Sequence, residues 1–392
     1  LILISALMLC FVVISVGTVS ADNVTNVTQN NSLNQTQSLN QLATETKNTT
    51  VRGYWIRGDT ALGMNSSNWD ELQKGGVTDV FVSCSRYSAS SSYDKVLAAV
   101  IPYAHARGIN VHAWITCFKD ASGNWVDPQG LKSSKVSVKY KYWYKGWHKV
   151  AYKVKVKHYT KVKYKYRGKW RTKYKVTYSY VTKYKWKKGW TYKWLYQTKT
   201  VYNYDSSFNN GLVNYIATVA KTGVDGIHLD YVRYPGTAYK YSGATSTITS
   251  FVARVHNTVK AVNSNIILSA AVMPEGSSNS YYYGQDYSQM SRYLDFIVPM
   301  IYKGNYGYSH ANGTSTTGAS GTAWIASKTA WIVQHSNGIP VLAGLQTYRS
   351  DTNWSSLVPA DELTRDIKAA MTSGASGYML FRYGLSLLKV LP

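Results

Sequence analysis

Outside one long interruption, short apolar runs alternate along this chain with segments of helical period. Gly53-Tyr54-Trp55-Ile56-Arg57, Asp79 to Cys84 and Ile109 to Ile115 read as the first three strands. A helix from about Tyr93 to Arg107 precedes the third strand and stops at Gly108. The fourth strand lies within Val224 to Pro235, behind an amphipathic helix from about Phe208 to Lys221. Ile266 to Val272, Phe296 to Tyr302, Pro340 to Leu345 and Gly377 to Phe381 supply the remaining four. Strands that are apolar throughout and separated by helices imply a parallel sheet covered on both faces. Eight such units predict an α/β fold, a closed (β/α)8 TIM barrel, built from residues 51–130 and 205–392.

The interruption, residues 131–204, falls in the loop after strand three, and its pattern changes to strict alternation. Lys153-Val154-Lys155-Val156-Lys157 and Lys161-Val162-Lys163-Tyr164-Lys165-Tyr166 are examples. Period two puts cations on one face of a strand and Tyr, Trp and Val on the other. Gly146, Gly168 and Gly189 each follow a basic residue and have a Trp within two positions, so each is expected to turn a repeated β-ribbon. The insert also explains the charge. The chain has a net charge of +25, yet 23 of its 44 Lys and Arg and none of its Asp or Glu lie in this segment. The remainder, with 21 basic and 19 acidic residues, is nearly neutral.

Leu1 to Val16 is almost wholly apolar and Val19-Ser20-Ala21 is a small-residue cleavage site, so residues 1–21 are expected to be an N-terminally truncated signal peptide. A membrane anchor is the competing expectation. Residues 22–50 are rich in Asn, Gln, Thr and Ser and are expected to form a flexible linker. Sequons at Asn23, Asn26, Asn30, Asn34, Asn48, Asn65, Asn312 and Asn353 fit a secreted or cell-surface protein. Nucleic-acid binding would fit the charge but conflicts with export. Cys84 and Cys117 end neighbouring strands and could be a disulfide or two buried thiols. No Cys/His spacing calls for a metal, and no motif calls for a cofactor.

The stretch Val224-Asp225-Gly226-Ile227-His228-Leu229-Asp230-Tyr231-Val232-Arg233-Tyr234-Pro235 is a strand that ends in a carboxylate, an aromatic and a guanidinium. In a parallel barrel that end is the catalytic mouth. The segment resembles the fourth strand of glycosyl-hydrolase-like TIM-barrel families, where a G-I-H-L-D-Y-x-R-Y-P pattern carries the catalytic Asp. Val111-His112-Ala113-Trp114, Trp125-Val126-Asp127-Pro128, Gly284-Gln285-Asp286 and Asp295 to Tyr302 resemble further parts of that family. The insert is similar to Lys/Tyr-rich repeats of archaeal cell-surface proteins.

Glycoside hydrolysis usually needs two carboxyl groups, one to protonate the leaving oxygen and one to attack or to activate water. Asp230 is the expected nucleophile or base and Glu275, just past strand five, the expected general acid. Asp286 is its rival, since the resemblance implies a functional carboxylate near it; capping the following helix is its alternative role. Salt bridging to Arg233 is the alternative for Asp230. Arg57, Trp114, Tyr231, Arg233, Tyr302, Gln346 and Arg382 stand at strand ends, where aromatics can stack on sugars and Arg can bind carboxylates. His112 and His228, within strands, are expected core histidines. Two functions remain open. One is a secreted glycoside hydrolase acting on a polysaccharide, with the insert binding an anionic cell-wall polymer. The other is a non-catalytic adhesin or wall-binding protein on the same scaffold.

Overall fold

The computed structural model describes residues 50–88, 94–307 and 315–392. The expected signal peptide, the linker before residue 50 and the sequon at Asn312 lie outside the described residues. The elements before the insert are β1 (Val51–Ile56), α1 (Gly58–Leu62), α2 (Ser66–Lys74), β2 (Asp79–Ser83), α3 (Asp94–His105) and β3 (Asn110–Thr116). The insert is β4 (Leu131–Tyr166) and β5 (Lys169–Tyr204). Then follow α4 (Ser207–Ala220), β6 (Gly226–Asp230), α5 (Ala244–Val262), β7 (Ile267–Val272), α6 (Asn279–Tyr283), α7 (Tyr287–Met290) and β8 (Phe296–Pro299). The chain ends with α8 (Ser315–His335), β9 (Leu342–Gln346), β10 (Tyr348–Ser350), β11 (Asn353–Leu357), α9 (Ala360–Thr372) and β12 (Gly377–Phe381).

Eight strands form one sheet in the order β8-β7-β6-β3-β2-β1-β12-β9. Two isolated parallel bridges, Ile297 to Val341 and Met300 to Gly344, close β8 onto β9. The result is a (β/α)8 barrel. Its strands read as apolar runs because they are buried on both faces: Ile56, Val80, Val82, Val111, Ile115, Ile227, Leu229 and Leu268 are all inaccessible. Each such side chain contributes about 1.5–3 kcal/mol. Gly226 opens β6 because nothing larger fits; a Cβ there would lie 2.0 Å from Nδ1 of His112.

At the opposite end of β6 from Asp230, Asp225 accepts the Val111 N–H at 2.7 Å and pairs with His105 at 2.8 Å. His112 is buried against Asp79 at 3.0 Å. Burial alone would raise the Asp79 carboxyl, but His112, Thr78 and Asn110 together hold it below the usual range. His228 bonds Ser269 at 2.9 Å and stacks on Phe81 with centroids 4.1 Å apart. Burial pushes its pKa well down, and His112 pushes it further, so it packs as a neutral ring. Cys84 and Cys117 are free buried thiols rather than a disulfide.

The insert is one antiparallel hairpin, not a series of short ones. Its two strands of 36 residues pair without a break from Leu131–Tyr204 to Tyr166–Lys169. At the usual strand rise that is roughly 120 Å of ribbon. Two of the three expected turns are corrected here: Gly146 and Gly189 are partners across the ladder. Only Arg167 and Gly168, with φ of 49° and 77°, have the paired left-handed backbone of a two-residue hairpin turn.

The expectation of one cationic and one aromatic face holds for each strand but not for the ribbon. The register sets Lys139, Lys141, Lys145 and Lys149 of β4 opposite Tyr196, Trp194, Trp190 and Trp186 of β5. On the other face Lys193, Lys183 and Arg171 of β5 oppose Tyr142, Tyr152 and Tyr164 of β4. Both faces therefore carry cation–aromatic ladders. Lys155 lies 4.0 Å from the Tyr178 ring centre, Lys139 4.8 Å from Trp194 and Lys173 5.1 Å from Tyr164.

Candidate functional site

At the C-terminal ends of the barrel strands lies a cavity of about 720 Å³. Trp55, Trp114, Tyr231, Tyr302, Tyr306, Tyr348, Trp354 and Phe381 give it aromatic walls; Arg86, Arg233 and Asn305 add polar groups. Asp230 lines it from the end of β6 and is only 7% exposed. The chain turns sharply after it, with Tyr231 at φ 52°, a left-handed conformation costly for a bulky side chain. That turn brings the Tyr231 N–H back onto Asp230 Oδ1 at 2.7 Å. From β3 the Trp114 indole N–H donates to Oδ2 at 2.9 Å. Burial pushes the Asp230 carboxyl above the ordinary range, and these two bonds with the Arg233 and Lys119 charges offset only part of that. A carboxyl group so placed can carry a proton to a substrate oxygen.

Four of the expected binding residues, Trp114, Tyr231, Arg233 and Tyr302, line the cavity with Asp230. Arg233 is sandwiched among rings, 5.0 Å from Trp125, 5.2 Å from Tyr231 and 5.3 Å from Tyr283. It does not clamp Asp230: its hydrogen bond goes to the Tyr234 carbonyl. The other three stand back. Arg57 pairs with its neighbour Asp59 on the exposed surface. Gln346 is buried and braces the loop after β8 through the Gly304 N–H and the Asn305 side chain. Arg382 is absent from the cavity wall and lies over the Trp354 ring, 5.4 Å from its centre.

The two remaining carboxylates are engaged elsewhere. Glu275 Oε1 accepts the hydroxyls of Tyr306 at 2.6 Å and Tyr283 at 3.0 Å. Tyr306 lines the cavity, so Glu275 stands one side chain behind its wall. Asp286 caps α7, accepting the Gln289 N–H at 3.0 Å and the Gln289 side-chain amide at 3.1 Å. Sequence reasoning passed over Asp351, Trp354 and Asn305, which the loops after β8 and β9 bring to the cavity. Only the aromatic in Asn353-Trp354 could have flagged that segment. Among the described residues no three His, Cys, Asp or Glu side chains gather in a way that could hold a metal ion.

A family model described as "Putative glycosyl hydrolase domain" matches residues 169–384. The comparison with curated proteins found no match. Among solved structures, the "C-terminal domain of putative chitinase" from Desulfitobacterium hafniense DCB-2 superimposes with a TM-score of 0.50. The identity is 13%, over 85% of this chain and 93% of that one. A class V chitinase from Pseudomonas fluorescens Pf-5 gives a TM-score of 0.49 at 14% identity, over 86% and 96%. At 13% identity the likeness to the former speaks for the barrel alone. The family match spans more than half of the chain and includes Asp230, Glu275, Asp286 and Asp351. On that match this chain belongs to the "Putative glycosyl hydrolase domain" family.

Proposed function

We propose that the protein is an exported glycoside hydrolase that cleaves a polysaccharide at the mouth of the barrel. One observation carries the reading: Asp230, buried and held on both oxygens, faces an aromatic-walled cavity at strand C-termini. The rings suit the apolar faces of sugars, and the deep carboxyl group suits protonation of a glycosidic oxygen. The test is a hydrolysis screen on wall and extracellular polysaccharides with Asp230→Asn as the control. Release of reducing ends by the wild type and not by the variant supports the reading.

The ribbon favours a second activity beside the first. Its two cation–aromatic ladders, with no carboxylate along 74 residues, suit an anionic wall polymer. Binding would hold the barrel at a polymeric surface. If the screen finds salt-sensitive polymer binding but no hydrolysis, the protein is a wall-binding adhesin on a hydrolase scaffold.

A further inference from the structure

Two-carboxylate hydrolysis needs an acid facing Asp230 across the substrate, and neither Glu275 nor Asp286 lines the cavity. The cavity wall does hold a second carboxylate. Asp351 sits at the tip of the β10–β11 hairpin, beyond the seventh barrel strand, and with Asp230 makes up the carboxylates that line this cavity among the described residues.

Its placement is built. The Tyr348 hydroxyl donates to Asp351 Oδ1 at 2.8 Å and the Asn305 amide to Oδ2 at 2.9 Å. Asn305 Oδ1 in turn accepts the Asp351 N–H and the Gln346 side-chain amide, both at 3.0 Å. The two loops that supply these groups are pinned together. Gly304 approaches Arg349 so closely that a Cβ would lie 1.8 Å from its carbonyl oxygen. Arg349 grips Glu362 with two bonds of 2.9 Å, and Lys303 reaches the same carboxylate at 2.6 Å in the protein interior. Both Asp230 and Asp351 also act electrostatically on the Tyr231 and Tyr302 hydroxyls, after the larger effect of burial. Both carboxylates line the one cavity whose wall includes Tyr231 and Tyr302.

We propose that Asp351 is the second catalytic carboxyl group of this barrel, working across the cavity from Asp230, with Asn305, Tyr348 and Gln346 as its positioning residues. The assignment rests on the glycosidase reading above. Asp230, the deeper group, gives its proton to the glycosidic oxygen as the bond from C1 to that oxygen breaks. Asp351 takes a proton from the water whose oxygen bonds to C1. Two sugar hydroxyl ends leave, Asp230 is left ionised and Asp351 protonated, and one proton exchanged through solvent restores both.

The test uses the full chain and the dinitrophenyl glycoside of whichever sugar the wild type releases from polymer. Asp351→Gly should lower kcat by about 10²–10⁴-fold with little change in KM. Azide should restore turnover by forming the glycosyl azide, because a small anion can fill the vacated place. Glu275→Gln should stay within about tenfold of the wild type. Should Asp351→Gly fold poorly, Asp351→Asn keeps the contacts to Tyr348 and Asn305 and must show the same loss. Loss of less than tenfold in a folded Asp351 variant, or azide rescue of a Glu275 variant in its place, would overturn the assignment and leave the glycosidase reading standing. A wild type that hydrolyses no glycoside would remove that reading itself.

Discussion

The indole N–H of Trp114 donates to Asp230 Oδ2 at 2.9 Å, from β3 to the neighbouring strand β6. This bond favours the ionised carboxylate, against the burial that opposes it. Trp114 thus sets how firmly Asp230 keeps its proton. Trp114→Phe keeps an aromatic wall and removes the donor. A hydrogen bond to a charged group is worth about 1.5–3 kcal/mol, or one to two pKa units. If Asp230 is the acid, the descending limb of the kcat/KM profile should therefore move up by about one unit. Movement of the ascending limb instead would make Asp230 the base.

Asp230→Asn should lower turnover by about 10²–10⁴-fold, and its effect on stability should depend on pH. Because burial raises the folded-state pKa of Asp230, its stabilising contribution is complete below the ordinary value of 3.8 and is lost as pH rises through the raised one. The variant has no such loss. Its own cost is an amide NH2 facing either the Trp114 or the Tyr231 N–H, about 1–3 kcal/mol at every pH. The difference in melting temperature between variant and wild type should therefore move in the variant's favour from pH 4 to pH 8. A difference flat across that range would mean that Asp230 ionises as it does in the unfolded chain.

Much of this architecture was legible because a parallel barrel writes itself as apolar runs. Gly377 to Phe381 is buried along nearly its whole length, and such a run has few alternatives. Asp230 was legible for the same reason, as a charge that ends a run of four buried residues. Asp351 was not. Its hairpin is short, polar and half exposed, and its place on the cavity wall depends on barrel closure and on the Gly304–Arg349 contact, which have no local signature. The cap at Asp286 needed only its neighbour Gln289, so it was foreseeable as an alternative, while the Tyr306 contact of Glu275 spans 31 residues. In the ribbon, alternation fixed the faces of each strand, but the register that sets cations opposite rings is a property of the pair.

The brace behind Asp351 offers a test of its own. Lys303 is 3% exposed and contacts both Glu362 and Asp366. Glu362 also has Arg349, but Asp366 has, among the described residues, only the Thr322 hydroxyl besides. Lys303→Met would leave a buried carboxylate uncompensated, a loss of about 3–5 kcal/mol. Burial already raises the Asp366 carboxyl, and losing the lysine raises it further. The deficit should therefore shrink as pH falls and Asp366 takes up its proton. Urea melts at pH 5 and pH 8 measure this, and equal deficits at the two would show that Asp366 is not the group left bare.

The ribbon is predicted to be separable from the barrel and to bind on two faces. Deleting about Ser133 to Thr200 and joining the ends with a short Gly/Ser linker removes strands whose side chains are almost all exposed. The Gly130–Asp205 backbone bond at its root stays in place. The barrel should keep its melting temperature within a few degrees and should still cleave a small glycoside. Binding to an anionic polymer should weaken and lose its dependence on salt. Substitution one face at a time then distinguishes this ribbon from a one-faced strand. Gln at Lys139, Lys141, Lys145, Lys149, Lys155 and Lys161 removes the cations over rings on one face; Gln at Arg171, Lys173, Lys183, Lys185 and Lys193 removes those on the other. Because each face carries its own cations over rings, either set alone should leave substantial binding and halve the polymer bound at saturation. Only the combined set should abolish it. Complete loss from one set would show that a single face does the binding, and no loss from the combined set would reduce the ribbon to a spacer.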